Sequence, residues 1–173
     1  MSCDYIEVAK EQRCISEKEN AIQGNLRASN AISFTVYGKP IPKDRPRVVK
    51  GHVYTPKETV EQEETIVLVY KSIYHDFKFD QYVPLRVETD FYLEISKTDR
   101  QKKKVFEKIK SGKIRPTKAK ALDVDNGLKL VLDALNKVAY FDDSQIVETL
   151  ARKYYSEKPR TEIRIMRVQS DAI

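Results

Sequence analysis

Five aspartates and Lys129 lie between Leu122 and Gln145 in a pattern that could bind a metal ion. Asp123 and Asp125 are two residues apart, so in an extended chain both carboxylates would point to one side. Asp143 precedes a second apolar run and would join them if the intervening chain folds back beside that run. Carboxylates about 4 Å apart repel strongly even at an effective dielectric of about 20, so such a cluster implies a bound cation. Oxygen ligands of this kind favour Mg²⁺ or Mn²⁺.

The segment between these acids has the periodicity of a helix. Its apolar residues recur at the spacing of one helical face: Leu128, Val131, Leu132 and Leu135. This spacing predicts a helix that begins at Asp125 and ends near Lys137. The acidic residues would therefore lie at the two ends of one helix.

The same side chains also fit a purely structural interpretation. Asp125 could be a helix cap without any further role. Lys129 could likewise do no more than form surface ion pairs with Asp125 or Asp133, which are four residues away on either side. Asp142 and Asp143 could form a turn. For an Asp-x-Asp pair taken alone, this structural interpretation is the commoner one.

The order of the residues resembles the RusA family of Holliday junction resolvases. The matching pattern is D-x-D-N-x-x-K-x-x-x-D-A-L, then F-D-D-x-Q and a strand-like run, and it extends from Asp123 to Gln145. A second block, GKPIPKDRPRVVKGHVYTP from Gly38 to Pro56, resembles the early basic segment of the family. The resemblance covers residues 32 to 168. Leu122 stands where the family commonly has proline, and Gly127 where it usually has leucine, but neither change removes a carboxylate.

The resemblance implies a homodimeric endodeoxyribonuclease that resolves four-way DNA junctions by paired symmetric nicks in recombination and repair. A two-fold axis suits this task because it sets two identical sites against two equivalent strands. The family's pattern would assign one or two Mg²⁺ ions, or Mn²⁺, to three ligands: Asp123, Asp125 and Asp143. Lys129 would act with them in catalysis, and Asn126 and Asp142 would support them through hydrogen bonds. Two alternatives stay open: a nuclease for other branched or flap DNA, and a junction-binding protein without catalysis.

Positive charge is concentrated immediately before the acidic stretch. Between Lys97 and Lys120 eleven basic residues stand against two acidic ones, whereas the whole chain has a formal net charge of +6. We expect this basic loop, residues 97 to 121, to attract a phosphate backbone toward the carboxylates, although a solvated loop would have the same composition. The candidate DNA contacts are Arg45, Arg47, Lys102, Lys103, Lys104, Lys118 and Lys120.

The remaining segments predict an α+β domain of the order β-α-β-loop-α-β-β, with a mixed β-sheet and packed helices. A capping-box signature, Thr55-Pro56-Lys57-Glu58, predicts a helix from Pro56 to about Tyr74. The last two strands are expected to form a hairpin through the turn SEKPR. The predicted strands are residues 32–37, 85–96, 146–155 and 162–168, and the second of these alternates so that Val87, Phe91 and Leu93 share one buried face. Residues 1–30 would be an N-terminal extension of unknown function, and residues 31–173 the RusA-like nuclease domain.

Composition excludes several classes of protein. The 173 residues suit one domain, and Cys3 and Cys14 form neither a disulfide framework nor a zinc pattern. The sequence has no apolar run as long as a membrane span, and its first residues carry charges where a signal peptide is apolar. We therefore expect a cytoplasmic protein without a membrane partner.

Overall fold

The computed structural model describes residues 29–44, 47–49, 52–117 and 121–168. Its main sheet consists of β1 (Ala31–Tyr37), β4 (Leu85–Glu94), β5 (Ile146–Ser156) and β6 (Arg160–Arg167), in the order β1-β6-β4-β5. β6 is antiparallel to both β1 and β4, whereas β4 and β5 are parallel. The predicted α+β class with a mixed sheet is confirmed.

The predicted hairpin of the last two strands is wrong. β5 and β6 follow one another in sequence, but β4 lies between them in the sheet. The turn signal showed only that the chain reverses direction, and successive strands are often but not always neighbours. Residues 157–159 connect the two strands across about 10 Å, the width of two strand spacings.

The first long helix, α1 (Lys57–Tyr74), ends at the predicted residue but begins without the predicted capping box. Pro56 is the N-cap, and its carbonyl accepts hydrogen bonds from the amides of Thr59 and Val60 at 3.1 and 3.3 Å. Because the helix begins one residue later than predicted, Pro56 rather than Thr55 occupies the N-cap position, and the side chain of proline has no acceptor that could cap the helix.

Two regions outside the predicted helices and strands contain short regular elements. The segment after β1 holds the small hairpin of β2 (Arg47–Val49) and β3 (His52–Tyr54). The basic loop holds two helices, α2 (Lys97–Gln101) and α3 (Lys103–Lys110). These elements are too short for periodicity to reveal them.

The hydrophobic core lies between one face of the sheet, here called the inner face, and the helices α1 and α4 (Val124–Leu135). β4 alternates as predicted, with its odd-numbered residues from Leu85 to Leu93 buried. The opposite face, here called the outer face, carries the half-buried polar residues of β4, among them Asp90 and Tyr92. None of the described helices is long and apolar enough to cross a membrane.

Candidate active site

The N-terminal end of α4 presents two exposed carboxylates. Asp123 is the N-cap and has an extended backbone, but its side chain accepts no hydrogen bond from the helix. Asp125 lies in the first turn. Among the described residues, neither carboxylate has a hydrogen-bond or ion-pair partner. The helix dipole stabilises negative charge at this end, and both groups remain open to a ligand. We call Asp123 and Asp125 the acid pair.

Gly127 allows the first turn of α4 to lie directly on the sheet. A Cβ added to Gly127 would be 2.9 Å from Cζ of Phe91 and 3.0 Å from Cδ2 of Leu122. Phe91 is 2% exposed, so its ring has little room to move away. Glycine, where the family usually has leucine, therefore permits an unusually close contact between helix and sheet. This contact fixes how near the acid pair lies to the sheet.

Lys153 holds the chain that leads into the acid pair. It lies on β5 beside Phe91 of β4, on the inner face of the sheet. Its Nζ donates a hydrogen bond of 2.8 Å to the carbonyl oxygen of Leu122, the residue before Asp123. Lys153 thus points toward the site, but it contacts the main chain rather than a carboxylate.

Lys43 also holds α4 in place. Its amide donates to the carbonyl of Asn126 at 3.0 Å, and its Nζ binds Glu63 at 3.0 Å and also Asp133. Burial opposes its charge, but the hydrogen bonds to these two carboxylates outweigh burial and raise the pKa of Lys43 above its ordinary value. Asp133 is therefore occupied by Lys43, and Lys129 remains exposed one turn beyond Asp125.

The acids beyond the C-terminal end of α4 are tied into a local turn. Asp142 accepts a 3.0 Å hydrogen bond from the amide of Ser144, and hydrogen bonds from the side chain and amide of Ser144 lower the pKa of Asp142. Gln145 Oε1 accepts from the amides of Phe141 and Asp142 at 2.8 and 3.3 Å. Asp142 therefore has a structural task, while Asp143 is exposed beside it.

The same glutamine anchors this turn to the loop before β4. Gln145 is 8% exposed, and its Nε2 donates to the carbonyls of Asp80 and Val83 at 2.9 and 3.2 Å. Tyr140 donates from its hydroxyl to the carbonyl of Leu132 at 2.7 Å. Burial, and then the charges of Asp143 and Asp133, raise the pKa of Tyr140. These contacts keep Asp143 near the C-terminal end of α4.

The acid pair and Asp143 lie at opposite ends of α4. The helix has 12 residues and is therefore roughly 18 Å long. The sheet register also places the two groups apart. Ile146, which follows Asp143 by three residues, pairs with Leu85 at the start of β4, whereas Lys153, which contacts the chain next to the acid pair, pairs with Phe91. Across the part of the chain that the structure describes, no three His, Cys, Asp or Glu side chains are grouped to hold a metal ion. One chain thus brings two of the predicted ligands together and keeps the third apart.

The candidate DNA contacts are only partly visible. Lys102, Lys103 and Lys104 are exposed where α2 meets α3. Arg45, Lys118 and Lys120 lie outside the described residues, and so does the side chain of Arg47, the first residue of β2. Sequence reasoning did not single out Arg115, whose guanidinium packs on Tyr154. The only sequence signal for it was its place in the basic loop.

The sequence is similar to a known family and to a known bacterial protein. A family model described as endodeoxyribonuclease RusA matches residues 37–166, which include the basic loop and both ends of α4. A Bacillus subtilis (strain 168) protein, described as uncharacterized protein YqaN, is 36% identical to the chain over 145 residues. That alignment covers 82% of this chain and 99% of the Bacillus protein.

Proposed function

The chain belongs to the RusA endodeoxyribonuclease family, and we propose that it resolves four-way DNA junctions by paired symmetric nicks that require Mg²⁺ or Mn²⁺. The observation that carries this proposal is the acid pair. Two exposed carboxylates stand at the start of α4 without partners among the described residues, while neighbouring groups hold the backbone beneath them. Such an arrangement leaves the charged oxygens available and fixes their position.

The acid pair suits a magnesium ion. Mg²⁺ in proteins usually takes one or two carboxylates and completes its coordination with water and substrate phosphate oxygens. Asp123 and Asp125 would therefore supply two of the ligands, and water, a DNA phosphate oxygen and a further carboxylate would complete the coordination. A metal ion held there would supply a water of lowered pKa and polarise the scissile phosphate.

Lys129 is placed to act on the phosphate. It follows Asp125 by one helical turn and is exposed, so its ammonium group can approach a phosphate held at the acid pair. There it would offset the negative charge that develops as the phosphodiester is attacked. Lys43 and Lys153 take no direct part in this proposal, because the ammonium group of Lys43 is bound by Glu63 and Asp133 and that of Lys153 donates to the carbonyl of Leu122.

Asp143 enters the proposal through a second copy of the chain. The family pattern makes it a third ligand, but it lies at the other end of α4, roughly 18 Å along the helix from the acid pair. A homodimer, which two symmetric nicks require in any case, offers each acid pair an Asp143 from the other copy. The proposal therefore assigns Asp143 to a site shared between copies.

The substrate class is tested with a panel of DNA shapes. End-labelled four-way junction, flap and linear duplex of the same sequences are incubated with the protein and Mg²⁺ at one concentration. We expect symmetric nicks in the four-way junction, at least tenfold faster than cleavage of the flap or duplex. Preferred cleavage of the flap would indicate a nuclease for other branched DNA. Binding of the junction without any nick would indicate a binding protein.

A further inference from the structure

Two arginines and two tyrosines form a continuous stack on the outer face of the sheet. Tyr92 of β4 and Tyr154 of β5 are partners in the parallel register, with ring centroids 5.2 Å apart and an interplanar angle of 18°. The guanidinium carbon of Arg160 lies 3.6 Å from the centroid of Tyr92. The guanidinium carbon of Arg115 lies 3.7 Å from the centroid of Tyr154. We call these four residues the Arg–Tyr stack.

The two arginines of the stack differ in how their charge is used. Arg160 donates to Glu162 at 2.7 Å, to Ser156 at 3.2 Å and to the carbonyl of Lys158 at 3.1 Å. Arg115 donates only to the carbonyl of Lys153, at 3.2 Å, and among the described residues it has no acidic partner. Arg160 is thus neutralised within the fold, whereas the exposed Arg115 keeps its positive charge.

The stack fixes Arg115 in an orientation suited to phosphate. A guanidinium carbon 3.7 Å from the ring centroid packs against the ring face and leaves N–H groups free to donate two hydrogen bonds to one phosphate group. Because one side is held by Tyr154 and one N–H by Lys153, little side-chain freedom remains to be lost on binding. Lys113, the nearest lysine in sequence, is exposed and has no such ring contact among the described residues.

Lys153 links this arginine to the acid pair. Its main-chain carbonyl accepts from Arg115, and its side chain donates to the carbonyl of Leu122 next to Asp123. Arg115 therefore lies on the outer side of the edge strand β5, and the acid pair lies on the inner side. A nucleic acid that crosses this edge would contact both.

We propose that Arg115 is a preformed phosphate contact for DNA that passes from the acid pair over the β5 edge, and that Tyr154 acts by positioning its guanidinium. This inference rests on the proposed function for its substrate, a DNA backbone. It adds a contact of fixed geometry to the positive charge of the basic loop. Recognition of this kind is independent of base sequence, because only phosphate oxygens are contacted.

Binding of a labelled four-way junction in EDTA over a range of salt concentrations tests the proposal without cleavage. Arg115→Ala should weaken binding about tenfold and lower the slope of log affinity against log salt by about one phosphate contact. Tyr154→Phe should bind like the unmodified protein because the ring face is kept. Tyr154→Leu keeps every charge and should still weaken binding severalfold.

Lys113→Ala is the matched control, since it removes one charge from the same loop without touching the stack. The effects of Tyr154→Leu and Arg115→Ala should not add in the double variant, whereas those of Tyr154→Leu and Lys113→Ala should add. Unchanged junction affinity and salt slope in Arg115→Ala would overturn the proposal, as would a loss in Tyr154→Leu that adds fully to that of Arg115→Ala. A protein that binds no junction would overturn it too. A protein that binds junctions through Arg115 but never cleaves them would overturn only the proposed function.

Discussion

The two ends of α4 carry the same type of side chain in opposite circumstances. At the C-terminal end, Asp142 receives hydrogen bonds from Ser144 and belongs to a turn that Gln145 completes. At the N-terminal end, Asp123 occupies a capping position but caps nothing, and the surrounding backbone is held by Lys43 and Lys153 instead. A carboxylate is available to bind a ligand where other groups hold the local backbone in place.

The largest expected effect is on the cleavage rate, when an aspartate at each end of α4 is replaced by asparagine. Asp123→Asn should reduce cleavage of a four-way junction by at least 100-fold, because it removes a charged ligand of the proposed metal site. Asp142→Asn should cleave at nearly the normal rate, because asparagine caps a turn as well as aspartate does. Initial rates of nicking measure both. Equal losses in the two variants would abolish the distinction between the ends.

A mixing experiment tests whether the two ends act together across copies. Asp125→Asn and Asp143→Asn are each expected to be inactive. When the two differently tagged variants are co-expressed, a mixed dimer carries one intact acid pair facing one intact Asp143, so nicking of a single strand should return. Mixed dimers that stay inactive would contradict the assignment of Asp143 to a shared site. Full activity of Asp143→Asn alone would remove this residue from the site.

The close contact under the acid pair should be sensitive to one methyl group. Gly127→Ala brings Cβ within 2.9 Å of Cζ of Phe91, and the overpacking outweighs the better helix propensity of alanine. We expect a loss of about 1 to 2 kcal/mol in the free energy of unfolding. Denaturant titration measures it, and Phe91→Leu in the same chain should restore part of the loss. Increased stability in Gly127→Ala would show that the helix can move off the sheet.

The smallest effect is the pH dependence of the turn at the other end. Hydrogen bonds from Ser144 lower the pKa of Asp142 in the folded protein, so its ionised form favours folding. This contribution is complete above the ordinary aspartate pKa and disappears as the pH falls through the lower folded value. In Asp142→Asn, the difference in thermal stability between neutral and acidic pH should therefore be slightly smaller than in the unmodified protein. An unchanged profile would contradict this capping role.

The outline of the domain was readable from sequence because it depends on local periodicity. The alternation of β4 predicted the burial of Val87, Phe91 and Leu93, and the apolar spacing predicted α4 to within two residues at each end. The position of β4 between β5 and β6 was not readable, because turn residues do not specify which strands pair. The Arg–Tyr stack was hidden for the same reason, since it depends on the register between Tyr92 and Tyr154.

The site was predictable only as a set of residues. The acidic residues were found by their types and order, but the distance between their two groups follows from the length of α4 and from the anchoring of Gln145. Likewise, nothing in the sequence indicated that Lys153 would bind a carbonyl rather than a carboxylate. Such choices depend on tertiary contacts between distant segments, which periodicity does not record.

Cleavage of an end-labelled four-way junction, with and without Mg²⁺, by the unmodified protein and by Asp125→Asn tests the central claim most directly. We expect paired symmetric nicks only when both Mg²⁺ and Asp125 are present, and junction binding by both proteins. Binding without nicks across Mg²⁺ and Mn²⁺, or nicks that persist in Asp125→Asn, would contradict a metal-dependent site at the start of α4.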